Sequence, residues 1–305
     1  MDFIYQILPE EEHQTVDQYL KKQGYSRRLI IQIKKEEKGI LVNQNPVFTS
    51  HVLLSGDQLA IHLPEEPPSN IEPVPLPFPI IYEDDHILAI NKPTDMPIHP
   101  SFQNYDNTLA NSAAWYMKKQ GLPFVFRCVN RLDRDTTGLV LLAKHQLSGS
   151  ILSSMVKERK IHREYLAAVE GTIEKAGTIS LPIGRLPGSA ILRCIDPVHG
   201  ESSITHYEPL AFCQGLTLLK IHLETGRTHQ IRVHMNAIGH PLPGDYLYHP
   251  YFDVIKRQPL HSFQLSFSHP ISGKSMELYA PVPEDIKKLF PSFFAETLAI
   301  KKESY

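Results

Sequence analysis

Residues 129–144 read VNRLDRDTTGLVLLAK, a charged loop that runs directly into an apolar segment. The continuous apolar run at residues 139–143 is typical of a strand that is buried on both faces. Gly138 stands at the junction, where the missing Cβ lets the backbone turn or approach a neighbour closely. The pattern predicts that Asp133 is held at the rigid edge of a sheet, which is where folds position reactive side chains.

After residue 80 the chain mixes strand and helix patterns, and several strands follow one another without a helix between them. This succession favours an α+β fold with a mixed, largely antiparallel sheet over a doubly wound parallel sheet. Strands are predicted at 80–82, 87–91, 139–143, 165–169, 204–207, 216–223, 260–266 and 275–279, and helices at 107–119, 146–159, 228–238 and 283–290.

Proline content suggests where the chain divides. Seven prolines occur between residues 64 and 79, which favours an extended, semi-rigid linker over 65–79. Before it, Thr15 and Gln18 form a capping-box pattern, Ser26 caps a second short helix, and strands are predicted at 40–43 and 59–63. We therefore expect a small α+β domain at 1–64, a larger domain at 80–295 and a C-terminal tail at 296–305.

Composition and charge narrow the class of protein. The 305 residues are 42% hydrophobic, and we expect an intracellular, cytoplasmic protein because no signal-peptide pattern or membrane-length apolar run occurs. Three cysteines without a CxxC pair imply neither a disulfide framework nor a zinc ribbon. The net charge is −2, yet residues 13–38 hold seven Lys and Arg against three acidic residues, and residues 127–165 hold eight against four. Such local basic patches are typical of a protein that binds a polyanion at defined places, although a solvated helix face would show the same charge pattern.

Two further motifs carry side chains suited to chemistry. Residues 163–171 read REYLAAVEG, a strand pattern that places Tyr165 among small apolar residues. Residues 226–234 read GRTHQIRVH, a helix start in which Arg227 lies where the chain leaves a strand. Upstream, residues 82–85 read YEDD and residues 87–93 read ILAINKP.

Together these motifs resemble those of the pseudouridine synthases that act on large-subunit ribosomal RNA, in order and spacing, over residues 13–290. The resemblance implies an isomerase in which Asp133 is the nucleophile or base, Tyr165 stacks on the target base and moves a proton, and Arg227 pairs with Asp133. One departure is Asn130, where the family usually has His. We expect this change to affect loop packing or RNA contact more than chemistry.

The same resemblance implies further substrate contacts. Arg131 is a candidate for filling the space that an extruded uridine leaves, and a phosphate contact or a strut for the loop is an equal alternative. Ile231, one turn beyond Arg227, is expected to pack against the uracil ring. Asp135 is expected to be structural, since it lies in the same loop and can bond to the following threonine turn.

Residues 13–63 are similar to the small RNA-binding domain (alpha-L motif type) that a small-subunit ribosomal protein shares with tyrosyl-tRNA synthetases. The features that carry this likeness are the two short helices, Ser26-Arg27-Arg28, Val42-Asn43 at a hairpin and Gly56-Asp57 before the last strand. Its exposed cations, predicted to contact RNA phosphates, are Lys21, Lys22, Arg27 and Arg28.

The reaction that the resemblance implies needs no cofactor, since it involves neither net redox change nor water. A zinc site is not expected either, because His229 and His234 are five residues apart on a helix and do not share a face. We expect a monomer whose partner is RNA, with ribosomal RNA favoured and transfer RNA still open.

Two rival functions use the same residues. A non-catalytic RNA-binding or ribosome-assembly factor would have no chemical reason to keep Asp133, Tyr165 and Arg227 together. A glycosidase-like hydrolase would need two carboxylates facing each other across the bond, and Asp133 and Asp135, two residues apart in one loop, are poorly placed for that.

Overall fold

The computed structural model describes residues 1–67, 69–251 and 253–302, with the backbone alone at 297–302. The strands are β1 (Asp2–Gln6), β2 (Ile40–Val42), β3 (Asn45–Pro46), β4 (Gln58–His62), β5 (Ile80–Glu83), β6 (Ile87–Lys92), β7 (Thr137–Ala143), β8 (His162–Glu170), β9 (Gly177–Ser180), β10 (Ile183–Arg185), β11 (Arg193–Ile195), β12 (Ile204–Cys213), β13 (Leu216–Leu223), β14 (Leu260–Ser268) and β15 (Ser275–Tyr279). The helices are α1 (Val16–Lys22), α2 (Arg27–Ile33), α3 (Leu109–Lys119), α4 (Gln146–Lys157), α5 (Gln230–Ala237), α6 (Glu284–Lys287) and α7 (Pro291–Lys302).

A nine-stranded sheet forms the larger part of the molecule, in the order β5-β6-β7-β14-β8-β13-β12-β9, with β15 paired to β14. Its pairings are antiparallel except for β7 and β14, which run parallel over two residue pairs. This confirms the predicted α+β class with a mixed, largely antiparallel sheet.

The junction of β7 and β14 explains the glycine at the start of β7. Gly138 has a φ of +108°, and a Cβ there would lie 2.2 Å from the carbonyl oxygen of Ser262. A side chain at this position would push β14 away. The β7 backbone is therefore drawn against β14 directly after the Asp133 loop, and the following residues of β7 are fully buried.

A separate four-stranded antiparallel sheet, in the order β1-β4-β2-β3, packs against α1 and α2. The predicted helix caps are present. The Thr15 hydroxyl accepts from the Gln18 amide at 3.3 Å while the Gln18 side chain accepts from the Thr15 amide at 2.9 Å, and the Ser26 hydroxyl accepts from the Leu29 amide at 3.2 Å. These contacts satisfy amides that a helix start leaves unpaired.

The small sheet unit rests on α4 of the larger part. The Ser150 hydroxyl donates to the Gly24 carbonyl at 2.8 Å, and Leu147 belongs to the hydrophobic core of the small unit. A Cβ at Gly24 would lie 2.6 Å from Ile151, so the backbone approaches α4 closely there. The described residues between β4 and β5 form no helix or strand, and Asn111 on α3 donates to the Glu72 carbonyl at 2.8 Å.

Several elements depart from the predictions. β1, β3 and β9 to β11 were not predicted, and α7 continues through Lys302, where a tail from residue 296 was expected. Residues 303–305 of that tail and Pro68 of the predicted linker lie outside the described residues. Among the described helices, none has the length and apolar character needed to cross a membrane.

Candidate active site

The loop that carries Asp133 is held by cations from distant parts of the chain. Lys92, fully buried at the end of β6, donates to the carbonyl of Arg134 at 2.8 Å. It also donates to the carbonyls of Pro93 and Met96, at 2.7 and 2.9 Å. Three acceptors match the three donors of an ammonium group. Burial nevertheless lowers the pKa of Lys92 to about 7, against the opposing effect of nearby carboxylates.

A second cation reaches the same loop from the segment before β14. Arg257 donates to the carbonyl of Asp135 at 3.1 Å, and both oxygens of Asp285 hold its guanidinium, at 2.7 and 2.9 Å. The Asp135 side chain is 17% exposed and lies 3.9 Å from Arg134. Buried cations thus hold the backbone carbonyls of the two residues that follow Asp133.

The cation that pairs with Asp133 is Arg232 on α5. Its Nη1 donates to Asp133 Oδ2 at 2.8 Å, while its Nε and Nη2 donate to the two oxygens of Asp245, each at 2.7 Å. The side chains of Arg232 and Asp245 are both 1% exposed. The bidentate contact to Asp245 fixes the guanidinium plane, and the two carboxylates raise the pKa of Arg232 despite its burial.

The predicted pairing of Arg227 with Asp133 is therefore wrong. Arg227 donates to the carbonyl of Ser202 at 3.3 Å and forms an ion pair with Glu201. The chain turns between Arg227 and α5, because His229 adopts a left-handed conformation with a φ of 59°. Arg232 was not predicted as the partner of Asp133, although it lies in the same motif, five residues after Arg227.

Five of the six predicted catalytic and substrate-binding residues nevertheless meet in one cleft. The predicted residues that line the cleft are Asp133, Tyr165, Arg227, Arg131 and Ile231. The remaining lining residues are Leu132, Thr136, Leu223, His229, Gln230, Arg232 and Leu260. Tyr165 on β8 is 5% exposed, and burial raises the pKa of its phenol. Asp133 is 25% exposed, which leaves its carboxylate open to the cleft.

Asn130 lies behind the cleft, buried against β7. Its side-chain amide donates to the Leu139 carbonyl at 2.9 Å, and its side-chain oxygen accepts from the Leu141 amide at 2.9 Å. The side chain thereby extends the hydrogen bonding of β7 as a strand backbone would. This arrangement favours loop packing over RNA contact as the role of Asn130.

Two of the four predicted cations of the small sheet unit face a groove of about 1100 Å³ between that unit and α4. Lys21 and Arg28 lie on one wall, and Arg127 and Lys157 lie on the other. Arg27 faces the neighbouring surface beside Lys34, and Lys22 is exposed at the end of α1. In the described part of the chain, His, Cys, Asp and Glu nowhere form a group of three or more that could hold a metal ion.

Comparison with known proteins identifies the class that this cleft belongs to. The family described as RNA pseudouridylate synthase matches residues 86–237, which include all three motifs. A Bacillus subtilis protein named an uncharacterized RNA pseudouridine synthase is 42% identical over 279 residues, covering 90% of this chain and 98% of that protein. Ribosomal large subunit pseudouridine synthase D of Haemophilus influenzae is 35% identical over 323 residues, covering 98% and 97%.

Among solved structures, human RNA pseudouridylate synthase domain containing 1 superimposes with a TM-score of 0.59 at 27% identity, covering 77% of this chain and 98% of that one. The chain therefore belongs to the RNA pseudouridine synthase family. It is an enzyme that isomerises uridine to pseudouridine in RNA, as the resemblance of its motifs implied.

Proposed function

We propose that the protein converts specific uridines of large-subunit ribosomal RNA to pseudouridine, with Asp133 as the catalytic carboxylate. The observation that carries this proposal is the cleft itself, in which Asp133 is open to substrate, bonded to Arg232 and close to Tyr165. The choice of ribosomal RNA is supported by the name of the Haemophilus influenzae relative.

The pairing with Arg232 suits a carboxylate that must act in its ionised form. The reaction breaks the bond between N1 of uracil and C1′ of ribose, turns the base and joins its C5 to C1′, after which the C5 proton leaves. Arg232 occupies Oδ2 of Asp133, so Oδ1 is the oxygen available to the sugar. Oδ1 can attack C1′ or remove a ribose proton, and both first steps agree with this geometry.

Tyr165 is proposed to lie against the target base, with Ile231 on the other side of the uracil ring. Because burial raises the pKa of Tyr165, its phenol stays protonated at neutral pH. A neutral phenol is a weak base but can accept one proton while it donates another. Tyr165 is thus suited to stacking and to relaying the C5 proton.

Arg131 is exposed at the mouth of the cleft, two residues before Asp133 in the chain. A uridine in structured RNA must leave its stack to reach a cleft of this kind. We propose that Arg131 fills the vacated space, and a phosphate contact is the alternative. Arg227, 39% exposed beside the cleft, is proposed to contact the RNA backbone.

The test of this function is tritium release from RNA labelled at uracil C5, with large-subunit ribosomal and transfer RNA transcripts as substrates. We expect the wild type to release tritium from ribosomal RNA and Asp133→Asn to release none. Asp135→Asn makes the same change two residues further on and is expected to retain activity. Tight RNA binding without release from any transcript would instead support the assembly-factor alternative.

We further propose that residues 1–64 form an RNA-binding domain and that the groove against α4 receives RNA phosphates. Four cations line the groove, and the hydroxyl groups of Ser26 and Ser153 can donate to phosphate oxygens. Arg28→Glu and Lys157→Glu are expected to weaken binding of long RNA and to reduce its salt dependence. Lys274→Glu, between β14 and β15, reverses an exposed charge that is not part of the groove lining and serves as the control.

A further inference from the structure

His229 stands beside the carboxylate on the side opposite Arg232. Its Nε2 lies 3.9 Å from Asp133 Oδ1, and its Nδ1 lies 2.8 Å from the hydroxyl oxygen of Tyr248. The imidazole is 10% exposed. The left-handed backbone of His229 costs energy for a residue with a side chain, and such strain is typical of functional sites when the surrounding structure enforces it.

The hydrogen bonds around Tyr248 determine which ring nitrogen carries the proton. The backbone amide of Arg193, on β11, donates to the Tyr248 hydroxyl oxygen at 2.9 Å. That oxygen is an acceptor in this contact, so its own hydrogen is available to His229 Nδ1. Nδ1 then accepts and Nε2 carries the proton. The opposite tautomer would point a lone pair of Nε2 at the carboxylate, which is repulsive.

Burial keeps this imidazole neutral. It lowers the pKa of His229, and the guanidinium of Arg232 acts in the same direction, while the carboxylate of Asp133 opposes both. Asp245 and Arg193 contribute smaller opposing effects of their own. At neutral pH the group that faces Asp133 is thus an uncharged N–H donor, held in place by the chain of contacts from β11 through Tyr248.

We propose that His229 is a positioning residue for Asp133, an inference that rests on the proposed role of that carboxylate. When RNA fills the cleft, the Nε2–H group closes onto Oδ1, since catalytic hydrogen bonds are often long before substrate binds. A carboxylate oxygen has two lone pairs, so one is held by His229 and the other faces the ribose. Arg232 and His229 together fix both oxygens of Asp133.

The experiment measures the RNA affinity and, at saturating ribosomal RNA transcript, the single-turnover rate. His229→Phe keeps a ring but has no donor, and its rate is expected to fall roughly 10- to 100-fold with RNA affinity unchanged. His229→Gln keeps a donor near the Nε2 position and is expected to recover much of the rate.

Tyr248→Phe tests the same inference without changing His229. It removes the hydrogen that fixes the tautomer, so the rate is expected to fall about 3- to 10-fold. Tyr246→Phe is the matched control, because the Tyr246 ring also lies against Arg232, at 5.8 Å, and no hydrogen bond joins its hydroxyl to His229 among the described residues. It is expected to match the wild type.

Three outcomes would overturn the inference: a wild-type rate for His229→Phe, equal losses of rate for the Phe and Gln variants, or a wild-type rate for Tyr248→Phe. If the His229 variants unfold at low temperature, Tyr248→Phe carries the test alone. Asp133→Asn in the same assay separates the proposed function of the protein from the proposed role of His229. An active Asp133→Asn or an inactive wild type refutes the proposed function, whereas an inactive Asp133→Asn with an unimpaired His229→Phe refutes the role of His229 alone.

Discussion

Replacing Arg232 and Arg227 in turn by lysine should show which guanidinium pairs with Asp133. Arg232→Lys keeps the positive charge but loses the planar fork that bonds to Asp133 and Asp245 together. Arg227→Lys makes the same change at a side chain that is 39% exposed and pairs with Glu201. The structure therefore predicts unequal effects from one chemical change.

The expected magnitudes follow from the contacts that each arginine makes. A lysine ammonium cannot hold both carboxylates, so Asp133 loses a charge-assisted hydrogen bond worth ~1.5–3 kcal/mol, or a ~10- to 150-fold lower rate. Asp245 is 1% exposed, and complete loss of its partner in Arg232→Met should destabilise the fold by ~3–5 kcal/mol. Arg227→Lys should change stability by less than ~0.5 kcal/mol and raise KM more than it lowers the rate.

The assay combines urea unfolding with single-turnover tritium release over a range of RNA concentrations, so that stability, apparent RNA affinity and the rate at saturation are measured separately. The order of the two chemical rates is decisive. If Arg227→Lys lost more rate than Arg232→Lys, the pairing of Arg232 with Asp133 would not be the functional one, and the expected pair of Arg227 with Asp133 would return.

Substitutions at three other positions test contacts of buried polar side chains. Burial lowers the pKa of His145 in the folded protein to about 3, whereas the same imidazole in the unfolded chain takes up its proton at pH ~6.5. Because the unfolded chain binds the proton first as the pH falls, the free energy of unfolding should decrease by ~2 kcal/mol from pH 7 to pH 5. His145→Asn can still cap α4 but cannot titrate, and urea unfolding at both pH values should show a smaller loss. Lys92→Met leaves three carbonyls without their donor and should cost ~2–4 kcal/mol, and an unchanged urea midpoint would contradict this. Asn130→Asp cannot donate to the Leu139 carbonyl and should cost at least ~1–3 kcal/mol in thermal or urea unfolding, whereas Asn130→His keeps a donor and an acceptor and should be milder.

The sequence was sufficient for elements with a strong periodic or apolar pattern. β13 and β15 have the predicted bounds, and β7 begins two residues before the predicted strand. The unpredicted hairpin of β10 and β11 has strands of three residues each, too short for a periodic signal. β1 does alternate, with Phe3 and Tyr5 turned inward, but it is five residues long and lies at the start of the chain.

The motifs identified the cleft but not its internal pairing. Arg227 and Arg232 lie in one motif, and both line the cleft. The left-handed backbone at His229 directs them apart, and a non-glycine residue gives no sequence signal for such a turn. Asp245 lies outside the three motifs, so the sequence did not predict the bidentate contact that fixes Arg232 beside Asp133.

The position of Asp133 depends on three cation contacts that are distant in sequence. Lys92 reaches Arg134 over 42 residues, Arg232 reaches Asp133 over 99, and Arg257 reaches Asp135 over 122. Each cation comes from a different element, so the loop takes its shape only when β6, α5 and the start of β14 are assembled. The residue types in the motifs indicate which reaction is possible, whereas these long-range cation contacts determine where the Asp133 carboxylate lies. Because no local pattern encodes such a contact, the geometry of the site follows from the fold as a whole.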